Sequence, residues 1–179
     1  MTAANFAPAL QWVREDEGGN DDDPNDHGGR TSRGITQREY DTWRHAHRRV
    51  VKDVWHADDS EIDTIYHDNY WEPWCDKLPS GVDYMFFDMA VNGGPKRAIV
   101  LLQLALGVSA DGIIGPKTLA ALDAAVKTAP DDLINAYTRR KRSFYEAISY
   151  HPGQSKFLRG WLKRTDRVWI HARKLVSAH

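Results

Sequence analysis

The chain has 179 residues, 41% hydrophobic and 27% charged, with a net charge of −1. That is long enough for one substantial domain or one domain with two lobes, and too nearly neutral to favour nucleic acid through an overall basic field. A single cysteine, Cys75, excludes an internal disulfide, and no run of about 20 apolar residues provides a membrane-spanning helix.

Residues 5–17 read as a helix with Asn5 at its N-cap. Phe6, Leu10 and Val13 form one apolar stripe, and Glu17 is its next member, roughly 20° from Phe6 in projection. Glu15 lies on the opposite side, so among three neighbouring acids only Glu17 ends the core-facing stripe. Desolvation there, and the partial negative charge of a helix C-terminus, both favour a protonated carboxyl that can act as a general acid. A helix ending in solvated acids is the plainer alternative.

Glu17 also opens a stretch with five glycines, four aspartates and a proline before Thr36. Such composition makes a loop, with a small β-hairpin expected near residues 28–36. Asp26 follows Glu17 by nine residues and Thr31 follows by five more. A general acid, a second carboxylate and a hydroxyl able to hold a water are the parts of glycoside hydrolysis. Asp21, Asp23 and Asn25 occupy the first ligand positions of an EF-hand-like loop, but Asp26 and Ser32 stand where glycine and glutamate belong, so no metal and no cofactor are expected.

The run Glu-Gly-Gly followed by Asp-Pro-x-Asp-x-Gly-Gly-x-Thr-x-x-Gly-Ile-Thr resembles the signature of glycoside hydrolase family 108, the phage-type N-acetylmuramidases. The order Glu, Asp, Thr also resembles the triad of family 24 phage muramidases, with one residue fewer between Asp and Thr. The resemblance implies Glu17 as the catalytic acid, with Asp26 and Thr31 as its partners.

Thr36 to Glu39 reads as a capping box opening a helix whose inner face carries Tyr40, Trp43 and His47. The basic cluster from Arg44 to Arg49 reads as a solvated face, and His45 and His47, two apart, do not share a helix face for zinc. Ser60 can cap a third helix over 60–71, with Ile62, Ile65, Tyr66 and Asn69 in a stripe. Tyr70, Trp71 and Trp74 follow; aromatics at this density are either core packing or sugar-stacking platforms, and Glu72 among them is a reserve acid. A helix over 82–92 ends at Gly93-Gly94, with Tyr84, Phe87, Asp88 and Val91 on one face. Asp88 is there either hydrogen-bonded in the core or turned to a cleft.

Pro95 starts the next helix, with Ile99, Leu102, Gln103 and Leu106 in a stripe, and Gly107 stops it. The segment Asp111-Gly112-Ile-Ile-Gly115-Pro116-Lys-Thr118 reads as a turn into a further helix. It resembles the peptidoglycan-binding-like region that accompanies the family 108 signature. Pro130 opens a long helix with Leu133, Ala136, Tyr137, Phe144 and Ile148 inward, and Ser155 caps the last, carried by Phe157, Leu158, Trp161, Leu162, Val168, Trp169 and Leu175. Their cations, Arg139 to Arg142 on the first and Lys156 to Lys174 on the second, form either a solvated surface or a surface for anionic wall polymer.

The expected architecture is therefore mainly α, an α+β lysozyme-like fold with two helical lobes around a cleft. Residues 1–91 form the catalytic region, and 92–179 form a helical peptidoglycan-binding-like region packed into the same unit. The resemblance implies hydrolysis of the β-1,4 bond between N-acetylmuramic acid and N-acetylglucosamine for host cell lysis. A lytic transglycosylase and a non-catalytic wall-binding protein are the alternatives. Peptidoglycan glycan strands are the expected partner of a monomer that binds no nucleic acid and does not insert in membranes. The N-terminus has no basic segment followed by an apolar core of the secretory kind. Synthesis in the host cytoplasm, export with a holin's help and action on periplasmic peptidoglycan are expected.

Overall fold

The computed structural model describes residues 5–16, 20–21 and 30–177; of residues 16, 20 and 21 only the backbone is described. Among these residues are eight α-helices and one three-stranded antiparallel sheet, ordered β1-β2-β3, so the mainly α expectation holds. The chain divides into two compact units, Phe6–Pro73, and Trp74 onward with Asn5. Family 108's fold expectation is thereby met in its helical content and its small hairpin.

In the N-terminal unit α1 (Phe6–Asp16) buries Ala9, Leu10 and Val13, the stripe its periodicity predicts. Strands β1 (Asn20–Asp21), β2 (Thr31–Ser32) and β3 (Ile35–Thr36) are two residues each. Arg33 and Gly34 join β2 to β3, with φ of 50° and 79°. Two consecutive left-handed residues give the turn whose twist suits a two-residue hairpin, and a glycine takes one of them at no steric cost. Helix α2 (Gln37–Ala46) follows, Thr36 Oγ1 accepting from the Glu39 backbone N–H at 3.2 Å. Only this half of the expected box is seen, because the Glu39 carboxylate accepts from Asn69 Nδ2 at 3.0 Å.

Helix α3 (Asp59–Tyr66) starts before the expected cap Ser60: Asp58 is the N-cap, and its N–H donates to Glu61. The α-helix also ends earlier than expected, continuing as one wide turn over His67–Trp71. The extra residue in that turn rotates the stripe, so Ile62, Ile65, Tyr66 and Trp71 are all buried while Asp68 and Asn69 remain half-exposed.

The C-terminal unit is built around α4 (Val82–Gly93). Every residue from Val82 to Ala90 is buried, so the helix has no single inward face as expected but runs through the middle of its unit. It packs on α5 (Pro95–Leu106), α7 (Pro130–Ser149) and α8 (Leu158–Ser177). Gly81 permits the approach to α8: its φ is 86°, and a Cβ there would lie 2.6 Å from the Ala172 carbonyl oxygen. Between α5 and α6 (Pro116–Thr128) the Asp111-Gly112 turn is tied by Gln103. The Gln103 amide nitrogen donates to Asp111, the Ile113 carbonyl and Thr118 at 2.7, 3.0 and 3.2 Å, and its oxygen accepts from Gly112 N–H at 2.9 Å. A 3-10 turn, Ser155–Phe157, stands where Ser155 was expected to cap the last helix directly, and Phe157 is exposed. Cys75 is fully buried, and its thiol is pushed well up by burial and then by the nearby Asp83 and Asp76 charges.

Candidate active site

Glu17 and Asp26, the two carboxylates of the expected triad, lie outside the described residues. Thr31 lies within them, on the central strand β2, opposite Asp21 of β1 on one side and Thr36 of β3 on the other. It is half-buried, and the next residue, Ser32, is fully buried on the other face of the pleat.

The hairpin that carries Thr31 is held on both sides by side chains from elsewhere in its unit. Trp55 Nε1 donates to the Thr31 carbonyl at 3.0 Å, and Gln37 N–H donates to the Arg30 carbonyl at 2.8 Å. Arg30 stacks its guanidinium 4.4 Å over the Trp55 ring and pairs with Asp53 at 2.5 Å. At the turn, Tyr66 donates to the Arg33 carbonyl at 2.8 Å, and the Arg33 side chain pairs with Asp59 and donates to the Ala57 carbonyl at 2.6 Å. The two-residue strands could not hold a register alone; these bonds to the 53–66 segment fix it. Trp55, 36% exposed, was not singled out in the sequence, where it stands alone between Val54 and His56 and shows no periodicity.

A second feature missed by sequence lies between α2 and α3. Glu61 is buried and accepts from Tyr40 Oη at 2.5 Å, Arg44 Nη1 at 2.6 Å and Arg49 Nη1 at 2.8 Å. Burial alone would raise its pKa. The hydrogen bonds from Tyr40 and Arg49 and the Arg44 charge outweigh this and hold it at about 2. Burial and the bond to Glu61 push Tyr40 up to about 12. Arg44 is thus an internal counter-ion, whereas Arg49 reaches Glu61 from an exposed position and, with His45, His47 and Arg48, belongs to the solvated face that was expected. The signal was Glu61 itself, an acid at the third position of its helix that stands beside Ile62 and four residues before Ile65 on the apolar stripe.

Two grooves mark this unit's described surface. One, of about 510 Å³, runs along α1 from Phe6 to Glu15 and reaches Asp63, whose carboxyl is raised by burial against the opposing Arg14. The other, of about 400 Å³, lies between α2 and the wide turn, where Trp43 Nε1 donates to Asp68 at 3.3 Å. Among the described residues no group of His, Cys, Asp and Glu is arranged to hold a metal.

The proposed substrate contacts separate. Tyr70 is half-buried, 6.0 Å from the Tyr66 ring, and Trp74 is half-buried, 6.1 Å from Phe86. Trp71 is fully buried against Phe6, with ring centroids 5.4 Å apart, and presents no face to a sugar. Asp88 is fully buried too. It pairs with Lys141 through one oxygen and with Arg164 Nε at 2.8 Å through the other. Burial would raise its carboxyl; the two cations overcome that and hold it below the usual range. Trp71 and Asp88 are therefore core residues. Lys141 and Arg164, read with the basic surface, belong inside with Asp88, because a carboxylate taken out of water needs both charges and hydrogen bonds.

Thr31 thus sits on a small sheet in an N-terminal unit, and a separate helical unit follows. The Glycosyl hydrolase 108 profile matches residues 10–94, and the Predicted Peptidoglycan domain profile matches residues 97–166. Among solved structures, Brucella abortus SagA is 36% identical, with a TM-score of 0.79 over 96% of this chain and 95% of that one. Comparison with curated protein sequences found no match. The chain belongs to the glycosyl hydrolase 108 family, and its activity is that of a glycoside hydrolase degrading peptidoglycan.

Proposed function

We propose that the chain is a lysozyme that hydrolyses the β-1,4 bond between N-acetylmuramic acid and N-acetylglucosamine, in the manner of a phage endolysin. The observation carrying this is that the family match, residues 10–94, spans Glu17, Asp26 and Thr31 in the order a muramidase requires. In this reading Glu17 protonates the leaving glycosidic oxygen as the sugar gains oxocarbenium character. Asp26, directly or through a water held with Thr31, serves the opposite face. The C1–O bond breaks, water supplies hydroxyl to C1, and the second proton returns to the acid pair. A carboxylate separation of about 6.5–9.5 Å would give inversion, and about 5–5.5 Å would give retention.

The test is mass spectrometry of products from purified peptidoglycan digested with wild type and with Glu17→Gln. Products ending in reducing N-acetylmuramic acid, reduced at least about a hundredfold in the variant, are expected. Products ending in a 1,6-anhydro ring, or undiminished hydrolysis by a folded variant, would overturn the reading.

A further inference from the structure

Three elements of the N-terminal unit meet at one pair of carboxylates. Asp59 and Asp63 stand one turn apart on α3. Arg14, on the last turn of α1, lies 3.3 Å from Asp59 Oδ1 and 3.0 Å from Asp63 Oδ1. Arg33, at the tip of the β2–β3 hairpin, pairs with that same Asp59 oxygen and donates to the Ala57 carbonyl at 2.6 Å. The end of α1 and the tip of the hairpin are therefore clamped together at the start of α3.

The backbone of Arg33 marks the clamp as more than a chance surface contact. Its φ of 50° lies in the left-handed region, where a Cβ crowds the following carbonyl and glycine is the usual residue. Arg33 is held there by its own side-chain bonds and by Tyr66, which donates to its carbonyl at 2.8 Å. Stability is not what the ion pairs supply. The Asp59 side chain is 73% exposed, and those of Arg14 and Arg33 are each 28% exposed. Pairs so open to water add little to the free energy of folding; a network of them still fixes a geometry.

The chain shows what that geometry governs. Helix α1 ends at Asp16 and β1 begins at Asn20, so only residues 17–19 join them, and β1 pairs with β2 at Asp21 and Thr31. At no more than about 3.6 Å per residue such a link has little reach. The placement of the last turn of α1 against the hairpin therefore bounds where Glu17 can stand relative to Thr31. We propose that Arg14, Arg33, Asp59 and Asp63 are positioning residues that set the separation between the Glu17 acid and the hairpin threonine. The proposal rests on Glu17 and Thr31 as the working groups, but not on which glycosidic bond is cut.

The test measures kcat and KM on soluble peptidoglycan fragments for the full chain as wild type, Arg33→Gly, Asp59→Ala, the double variant of these two, and Asp59→Glu. Arg33→Gly removes the clamping side chain while relieving the backbone, so its Tm should stay within a few degrees of wild type. Its kcat should fall roughly tenfold with KM changed less than about twofold, because misplaced reacting groups slow the chemical step without weakening substrate binding. Asp59→Ala should match that loss, and the double variant should be no slower than either single one. Asp59→Glu, which keeps the carboxylate, should recover most of the rate. Unchanged kcat in Arg33→Gly, a loss confined to KM, additive losses in the double variant, or a kcat loss accompanied by a collapse in Tm would each overturn the proposal. Glu17→Gln is assayed alongside. If it is inactive while Arg33→Gly is as fast as wild type, the clamp alone fails. If products end in a 1,6-anhydro ring while Arg33→Gly is slow, the muramidase reading alone fails. A fully active Glu17→Gln, or an inactive wild type, overturns both.

Discussion

Glu61 shows how one buried charge organises a whole corner of the N-terminal unit. Its carboxylate reaches Tyr40, Arg44 and Arg49, so α2, the following basic stretch and α3 meet at a single group. With a pKa held at about 2 against an ordinary 4.5, it binds its proton less readily folded than unfolded. Its stabilisation is therefore complete above about pH 4.5 and lost as pH falls towards 2, amounting to about 3 kcal/mol. Urea unfolding should show more than half of that contribution gone by about pH 3. Glu61→Gln should cost on the order of 3 kcal/mol near neutral pH, where it leaves two guanidinium groups without their carboxylate. The gap between variant and wild type should narrow in acid. A gap independent of pH would mean that shape, not charge, is what Glu61 supplies.

At the scale of elements, the turn between α5 and α6 depends on Gln103. Its amide satisfies four groups of the turn, two of them backbone. Gln103→Leu keeps the volume and removes every one of those bonds. A loss of about 2–3 kcal/mol in chemical unfolding is expected, while Thr118→Val, which removes one acceptor, should cost about 1 kcal/mol. Much of the helical order was legible in sequence, because Gly93-Gly94, Gly107, Pro116 and Pro130 punctuate it. A hairpin near residues 28–36 was legible for the same reason, but not that Arg33 and Gly34 make its turn. Burial of Lys141 and Arg164 was not, since each sits in a run of cations. Lys141 nevertheless continues the four-residue spacing of Leu133, Tyr137 and Tyr145, and Asp88 in an apolar helix called for a partner. The wide turn after Tyr66 also escaped, because its residues suit an ordinary helix and only tertiary packing selects the extra one. Of the candidate site, Thr31 was readable from the motif, but Trp55 behind its carbonyl was not, for that contact joins residues 24 apart in sequence.

The whole molecule is nearly neutral only by cancellation, with −8 in one unit and +7 in the other. A protein governed by its net charge of −1 would pass through a cation exchanger at neutral pH. This chain should be retained at low salt by cation and anion exchangers alike, and replacing Arg159, Lys163 and Arg167 by Gln should advance its elution from the first. Equal elution of wild type and that variant would show that the exposed charge of α8 is not presented as a patch. Cys75 has a different consequence. A thiol that is fully sealed, and held in its unreactive protonated form, cannot meet an aqueous alkylating reagent until the helices over it part. With no second cysteine to obscure the signal, its labelling rate is a built-in clock. It times how often the C-terminal unit opens, in solution or while the enzyme is seated on the wall.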